Sequence, residues 1–116
     1  MSDCIFCKIA AGAIPASRVY EDEQLLAFKD IAPQRPVHIL VIPKKHITSL
    51  ATVSADDAPL LGQMLAKAHE IALAQGSPAG FRVIINTGEI GQQEVQHLHM
   101  HILGGPQPVG PMVQKH

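Results

Sequence analysis

The sequence predicts a single α+β domain. Five short runs have strand character, and one long run places apolar residues at helical spacing. A short apolar run near the N-terminus reads as one or two helical turns. No internal repeat and no linker separates these elements, so residues 1–116 are expected to fold as one unit.

The elements follow in order. Cys4 to Ala11 is the N-terminal apolar run, ended by Gly12 and Pro15. Arg18-Val19-Tyr20-Glu21 and Leu25 to Lys29 are the first two strands. Asp30 to Pro36 contains Pro33 and Pro36 and is a loop. Val37 to Ile42 is β-branched and apolar and is closed by Pro43, as expected of a buried strand. Ser54, Asp56 and Asp57 offer N-cap side chains for the long helix. Pro59 favours Asp56 as the cap, because proline then falls in the first turn, where its missing N–H costs nothing. Leu61, Met64, Leu65, Ala68 and Ala72 supply the apolar spacing, Gly76 stops the helix and Pro78 prevents its continuation. Phe81 to Asn86 is a second buried strand, and Thr87 to Gln93, with Gly88 and Gly91, is a polar loop. His97 to Leu103 alternates polar and apolar, the pattern of a strand with two unlike faces. Gly104-Gly105-Pro106 ends it, and the tail with Pro108, Gly110 and Pro111 is extended.

Composition narrows the function. With 47% hydrophobic residues in 116, the chain can bury a core of its own and is neither disordered nor a disulfide scaffold. A net charge of −1 gives no basic excess for nucleic acid or an anionic membrane. Aromatics at 3%, without tryptophan, argue against a stacking platform for single strands. No apolar run is long enough to span a bilayer. Met1-Ser2-Asp3-Cys4 lacks the basic and apolar regions of a signal peptide. The expected compartment is therefore the reducing cytoplasm, where a C-x-x-C reads as metal or redox chemistry before structural disulfide.

Histidine is the anomaly: 7 residues, three of them in His97-Leu98-His99-Met100-His101. On a strand these three imidazoles share one face while Leu98, Met100 and Ile102 point into the core. Such a row suits metal binding or nucleophilic chemistry coupled to proton transfer. A single ion held by all three is disfavoured, since they span about 13 Å and ligand bonds are about 2 Å. Cys4-Ile5-Phe6-Cys7 is half a zinc site, or two small buried hydrophobes. A redox pair is less favoured because no thioredoxin-like βαβ pattern surrounds it. Any further metal ligands must be histidine or carboxylate, since the chain has no other cysteine. Asp30, His46 and Asn86 lie at strand ends, where polar residues serve either hydration or a site. His38 reads as a satisfied structural histidine, His69 and His116 as solvated, and Lys44-Lys45 as a wet turn.

His97-Leu98-His99-Met100-His101-Ile102-Leu103 resembles the motif of the histidine triad superfamily. The likeness extends over most of the chain. It takes in Cys4-Ile5-Phe6-Cys7-Lys8-Ile9, Leu26-Ala27-Phe28-Lys29-Asp30-Ile31-Ala32-Pro33-Gln34, His38-Ile39-Leu40-Val41-Ile42-Pro43-Lys44-Lys45-His46-Ile47 and Leu103-Gly104-Gly105-Pro106. The Asp-Ile-x-Pro-Gln and Gly-Gly segments look most like the Hint branch, the purine nucleoside phosphoramidases.

That resemblance implies an α+β fold with a five-stranded antiparallel sheet, one main helix, a short N-terminal helix and a homodimer in which two sheets join. It implies cleavage of purine nucleoside monophosphate derivatives, namely 5′-phosphoramidates or acyl-adenylates, through a nucleotidyl-histidine. The nucleophile falls on His99, flanked by His97 and His101, with His101 the better holder of phosphate oxygens. Asp30 would meet the ribose hydroxyls. Ile5, Phe6, Ile9, Phe28 and Ile31 would enclose the base, and Asn86 and Gln93 would lie near the phosphate. Some relatives bind zinc through four positions that fall here on Cys4, Cys7, His46 and His97, and such a zinc would be structural. Many members carry Ser or Thr where this chain has Glu94. A carboxylate there would repel phosphate unless turned away, and it suits a cationic, lysyl-type leaving group. Two other readings are kept: a dinucleoside polyphosphate hydrolase of the same superfamily, and a non-catalytic nucleotide-binding scaffold.

Overall fold

A computed structural model describes residues 3–111. Met1, Ser2, His116 and the end of the tail lie outside the described residues. The elements are α1 (Ile5–Ala10), β1 (Arg18–Glu21), β2 (Leu25–Lys29), β3 (Val37–Pro43), α2 (Ala58–Ala74), β4 (Arg82–Ile84) and β5 (Met100–Gly104). The strands form one sheet in the order β1-β2-β3-β5-β4, with every neighbouring pair antiparallel. The expected five-stranded antiparallel α+β architecture is thus the observed one.

Alternation along the strands sorts side chains to two faces. Leu25, Ala27, Val37, Ile39, Val41, Leu98, Met100 and Ile102 face α2 and meet Leu60, Met64, Ala68, Ile71 and Ala72. Leu26, Phe28, Leu40 and Ile42 face α1 and meet Phe6 and Ile9. Both faces are covered, so β3 is buried over its whole length and reads as a continuous apolar run.

Five details differ from the sequence expectation. The long helix does not begin at an Asp56 cap. A 3-10 turn over Ala55–Asp57 precedes it, and Asp57 accepts the Ser54 N–H at 2.9 Å and the Lys45 ammonium at 2.6 Å. The Lys45 bond, with help from the Ser54 N–H, holds the Asp57 carboxyl below its usual range. Lys44 reaches Glu21 at 2.7 Å, so the two lysines are ion-paired instead of forming a merely wet turn. The buried helical face is Leu60, Met64, Ala68, Ile71 and Ala72, while Leu61 is half-buried and Leu65 exposed. The helix is apolar around a wide arc, so its period alone does not choose between Leu60 and Leu61.

β4 is only three residues long and half-buried, because it is an edge strand paired with β5 alone. β5 begins at Met100, leaving His97 and His99 just before it. The β3–β5 ladder reaches Val41↔Met100, and Pro43 has no N–H to extend it. Leu98 instead donates to the Ile47 carbonyl at 2.7 Å.

Candidate active site

The histidine row lies on the α1 side of the sheet, with His97 and His99 buried and His101 half-buried. Backbone groups fix two of its tautomers. His97 lies 2.8 Å from the Pro43 carbonyl through Nε2, so Nε2–H donates and Nδ1 keeps its lone pair. His99 lies 2.8 Å from the His97 carbonyl through Nδ1, so Nδ1–H donates and the lone pair is on Nε2.

A third tautomer is set through His38, which occupies the same face of β3. The Gln34 N–H donates to His38 Nδ1 at 3.0 Å, which places the proton on Nε2. His38 Nε2–H then donates to His101 Nδ1 at 2.9 Å, leaving His101 with a proton on Nε2. His38 is therefore more than a satisfied structural residue: it orders the proton on a member of the row. Asp30 Oδ2 lies 3.4 Å from the same His38 nitrogen.

Burial sets the charge of these rings. It pushes His101 down to about 4, and the neighbouring His99 and His38 disfavour a further positive charge. His38 and His97 are lowered by the same cause, against weaker opposing pulls from Asp30 and from the Pro43 carbonyl. The Asp30–His38 contact is accordingly an approach of a carboxylate to a neutral ring at pH 7, not an ion pair.

Phe6 closes the row from the α1 side. Its ring meets His99 edge-to-face at 5.2 Å, His97 at 5.9 Å and Phe28 at 5.6 Å between centroids. Phe6, Ile9 and Phe28 come together in the α1-side cluster. Ile5 and Ile31 do not join it: they are 47% and 100% exposed. Asp30 follows β2, and its Oδ1 accepts the Ala32 N–H at 2.8 Å. Asn86 lies half-buried beyond β4.

The Gln93 amide is fully engaged by backbone. It donates to Thr48 and Val95 carbonyls at 2.8 and 2.9 Å and accepts the Gly88 N–H at 3.0 Å. Glu94 is exposed and lines a groove of about 450 Å³ together with Asp3, Cys4, Ile5 and His46.

Among the described residues, two clusters have metal-binding composition. In Cys4, Cys7, His46 and His97 one ligand atom from each lies within 4.8 Å of all the others. Cys4 Sγ and Cys7 Sγ are 3.3 and 3.6 Å from His97 Nδ1, and Cys7 Sγ is 3.2 Å from His46 Nδ1. The lone pair on His97 Nδ1 faces the sulfurs, and the Pro43 carbonyl holds the other ring nitrogen as an outer partner of a metal ligand should. This set fits tetrahedral Cys2His2 zinc.

Asp30, His38 and His101 form the second cluster. The Gln34 N–H already takes the His38 Nδ1 lone pair, so a neutral ring has a proton where the metal would bind. That cluster is a proton-ordering chain, and it does not fit an ion.

Sequence reasoning missed the His38 role, the Pro43 carbonyl and the saturation of Gln93. His38 was detectable only as a histidine on the same parity of β3 as Leu40 and Ile42. Its pairing with His101, 63 residues away, has no local signature.

An α+β sheet bearing three same-face histidines, with the middle ring poised through Nε2, defines a histidine-triad class of protein. Comparisons place the chain within it. The family model described as "Scavenger mRNA decapping enzyme C-term binding" matches residues 3–116. Protein HitA of Neisseria gonorrhoeae is 56% identical over 106 residues, covering 91% of this chain and 99% of that one. Among solved structures, a HIT family hydrolase from Legionella pneumophila is 51% identical, with a TM-score of 0.86 over 90% of this chain and 95% of that one. A histidine triad protein from Clostridium difficile is 46% identical, with a TM-score of 0.90 over 96% and 97%. The chain belongs to the histidine triad (HIT) family.

Proposed function

We propose that the protein is a nucleotide-binding hydrolase that cleaves purine nucleoside 5′-phosphoramidates or acyl-adenylates through a nucleotidyl-histidine on His99. The observation that carries this reading is the His99 Nδ1–H bond to the His97 carbonyl, which leaves Nε2 as a lone-pair donor. Nε2 forms a bond to the α-phosphorus as the phosphorus–nitrogen bond breaks, the amine leaving with a proton taken up from solvent; in an acyl-adenylate the phosphorus–oxygen bond breaks and a carboxylate leaves. Water then attacks the adduct and releases the nucleoside monophosphate and His99. Neutral imidazole performs the attack without a strong base.

The other residues take positioning roles in this reading. His101 Nε2–H holds a phosphate oxygen, its tautomer fixed by His38. Asp30 offers Oδ2 to ribose hydroxyls. Phe6, Ile9 and Phe28 form the inner side of an apolar base slot, and exposed Ile5 and Ile31 gain burial when a base covers them. Asn86 is assigned to the phosphate side. Gln93, its amide engaged, holds the loop that presents Glu94. Cys4, Cys7, His46 and His97 hold a structural zinc, which supplies a cross-link between α1, the end of β3 and the histidine row. The free edge of β4 supports pairing of two sheets in a homodimer. Both thiols are unbridged, in keeping with a cytoplasmic setting.

The test is mass spectrometry of protein quenched during turnover of a slow adenosine phosphoramidate. Nucleotide mass on His99 is expected, with turnover abolished and AMP binding kept in His99→Ala. Turnover surviving in His99→Ala overturns the reading, and a chain that binds AMP without turnover is the scaffold alternative. Faster cleavage of diadenosine polyphosphate than of the phosphoramidate favours the polyphosphate hydrolase.

A further inference from the structure

The thiols of Cys4 and Cys7 converge on one nitrogen, His97 Nδ1, at 3.3 and 3.6 Å. They sit at the start of α1, where the Cys7 N–H donates to Cys4 Sγ at 3.4 Å. Neither is sealed in the core, since both side chains are half-buried. Cys4 lines the groove of about 450 Å³, whereas Cys7 does not. Between them lies Phe6, whose ring touches both His97 and His99. His97 in turn holds the His99 proton through its carbonyl. A change at the sulfurs therefore reaches the nucleophile by two short routes, one through Phe6 and one through His97.

We infer that Cys4 and Cys7 are an oxidisable dithiol whose conversion to a disulfide by a small hydroperoxide lowers activity at His99. The activity component rests on the proposed hydrolase reading; the sulfur chemistry does not. Cys4, facing the groove, attacks the peroxide oxygen; the O–O bond breaks, giving Cys4 sulfenic acid and one water (an alcohol for an organic hydroperoxide). Cys7 then attacks the Cys4 sulfur, the S–O bond breaks, and a second water leaves. The two sulfurs give up two electrons, the peroxide is reduced, and the waters formed take their protons from the thiols, or from solvent where the sulfurs start as thiolates. Both sulfurs are then joined to each other and no longer available to His97 or to a metal. His97 keeps only its Pro43 bond, and the turn carrying Phe6 tightens.

The experiment uses the whole, metal-loaded protein treated with graded hydrogen peroxide. Four readouts are taken: mass of the peptide ending at Lys8, thiol alkylation, zinc appearing on a coloured chelator, and AMP affinity beside phosphoramidate turnover. A loss of two hydrogens within that peptide is expected, with zinc release and a fall in AMP affinity or turnover on the order of tenfold. A dithiol reductant plus zinc should restore all of them. The inference is overturned if both thiols remain alkylatable under peroxide. It is equally overturned if the disulfide forms while AMP affinity and turnover stay unchanged. Absence of turnover in the reduced protein would count against the hydrolase reading alone, because peptide mass and AMP affinity still report the switch. Cys7→Ser should accumulate Cys4 oxyacids and form no disulfide within the chain, which separates the two steps even if that variant is less stable.

Discussion

The backbone carbonyl of His97 holds the ring of His99, at 2.8 Å from Nδ1. One residue thus contributes its ring to a four-residue cluster of metal-binding composition and its main chain to His99, the proposed nucleophile. Structural and chemical demands meet on a single residue.

Removing the donor behind His101 should disturb catalysis more than folding. His38→Leu leaves His101 Nδ1 without its 2.9 Å partner. Turnover is expected to fall on the order of ten- to a hundredfold. His38→Gln, which returns an N–H close to the lost Nε2, should recover part of it. Equal losses in both variants would mean that the tautomer of His101 is unimportant.

Acid should destabilise the fold before the carboxylates titrate. His38 and His101 are both held below the ordinary value of 6.5, His101 at about 4. The unfolded chain therefore takes up protons first as pH falls, and stability present above pH 6.5 is lost progressively toward pH 4. Urea midpoints at about pH 7.5 and about pH 5 should show the drop, and His101→Gln should make it shallower.

Zinc should stabilise the chain measurably. Metal analysis of purified protein is expected to find one zinc per chain, and chelation should lower Tm by several degrees. At a hundredfold excess of metal over Kd the linkage is about 2.7 kcal/mol. His46→Ala, which removes the member of the proposed zinc set that lies outside both the histidine row and the C-x-x-C, should abolish most of the chelator response.

Gly104 has no room for a side chain. A Cβ there would overlap Ser77 Oγ and lie 2.8 Å from Ser77 Cβ. Ser77 Oγ is already committed, donating to the Gly80 carbonyl at 2.6 Å and accepting the Gly105 N–H at 3.0 Å. Gly104→Ala should cost about 1–3 kcal/mol by chemical denaturation. Adding Ser77→Gly should cost less than the two changes summed, because the clash partner is gone.

Glu94 gives a prediction about selectivity. It shares its groove with Asp3, which suits a cationic leaving group. Glu94→Ser should slow lysyl-type phosphoramidates more than those with uncharged amines, and equal effects on kcat/KM would remove the idea.

Local patterns made much of the architecture readable. The runs at Leu25–Lys29 and Val37–Pro43 are apolar because both faces of the sheet are covered, and alternation at Met100–Gly104 reports two unlike neighbours. Register across the sheet was not readable, and with it went the role of His38, which depends on a partner two strands of sequence away. The extent of β4 was overestimated, since Phe81 and Ile85 are apolar enough for a strand but have β5 on one side only. The metal-type cluster was legible through a resemblance, while the Pro43 carbonyl that orients His97 is main chain and leaves no mark on residue identity.

The two coverings of the sheet are unequal. α2 contributes seventeen residues to one side, whereas α1 contributes six, anchored by Phe6, Ile9 and the Arg18 bond to the Ile9 carbonyl at 2.6 Å. Amide exchange should therefore find α1 among the early-opening segments of the native state, well before the protected amides of β3. His99 sits behind that thin cover, so opening of these six residues, well short of global unfolding, should be enough to bring its ring to bulk water.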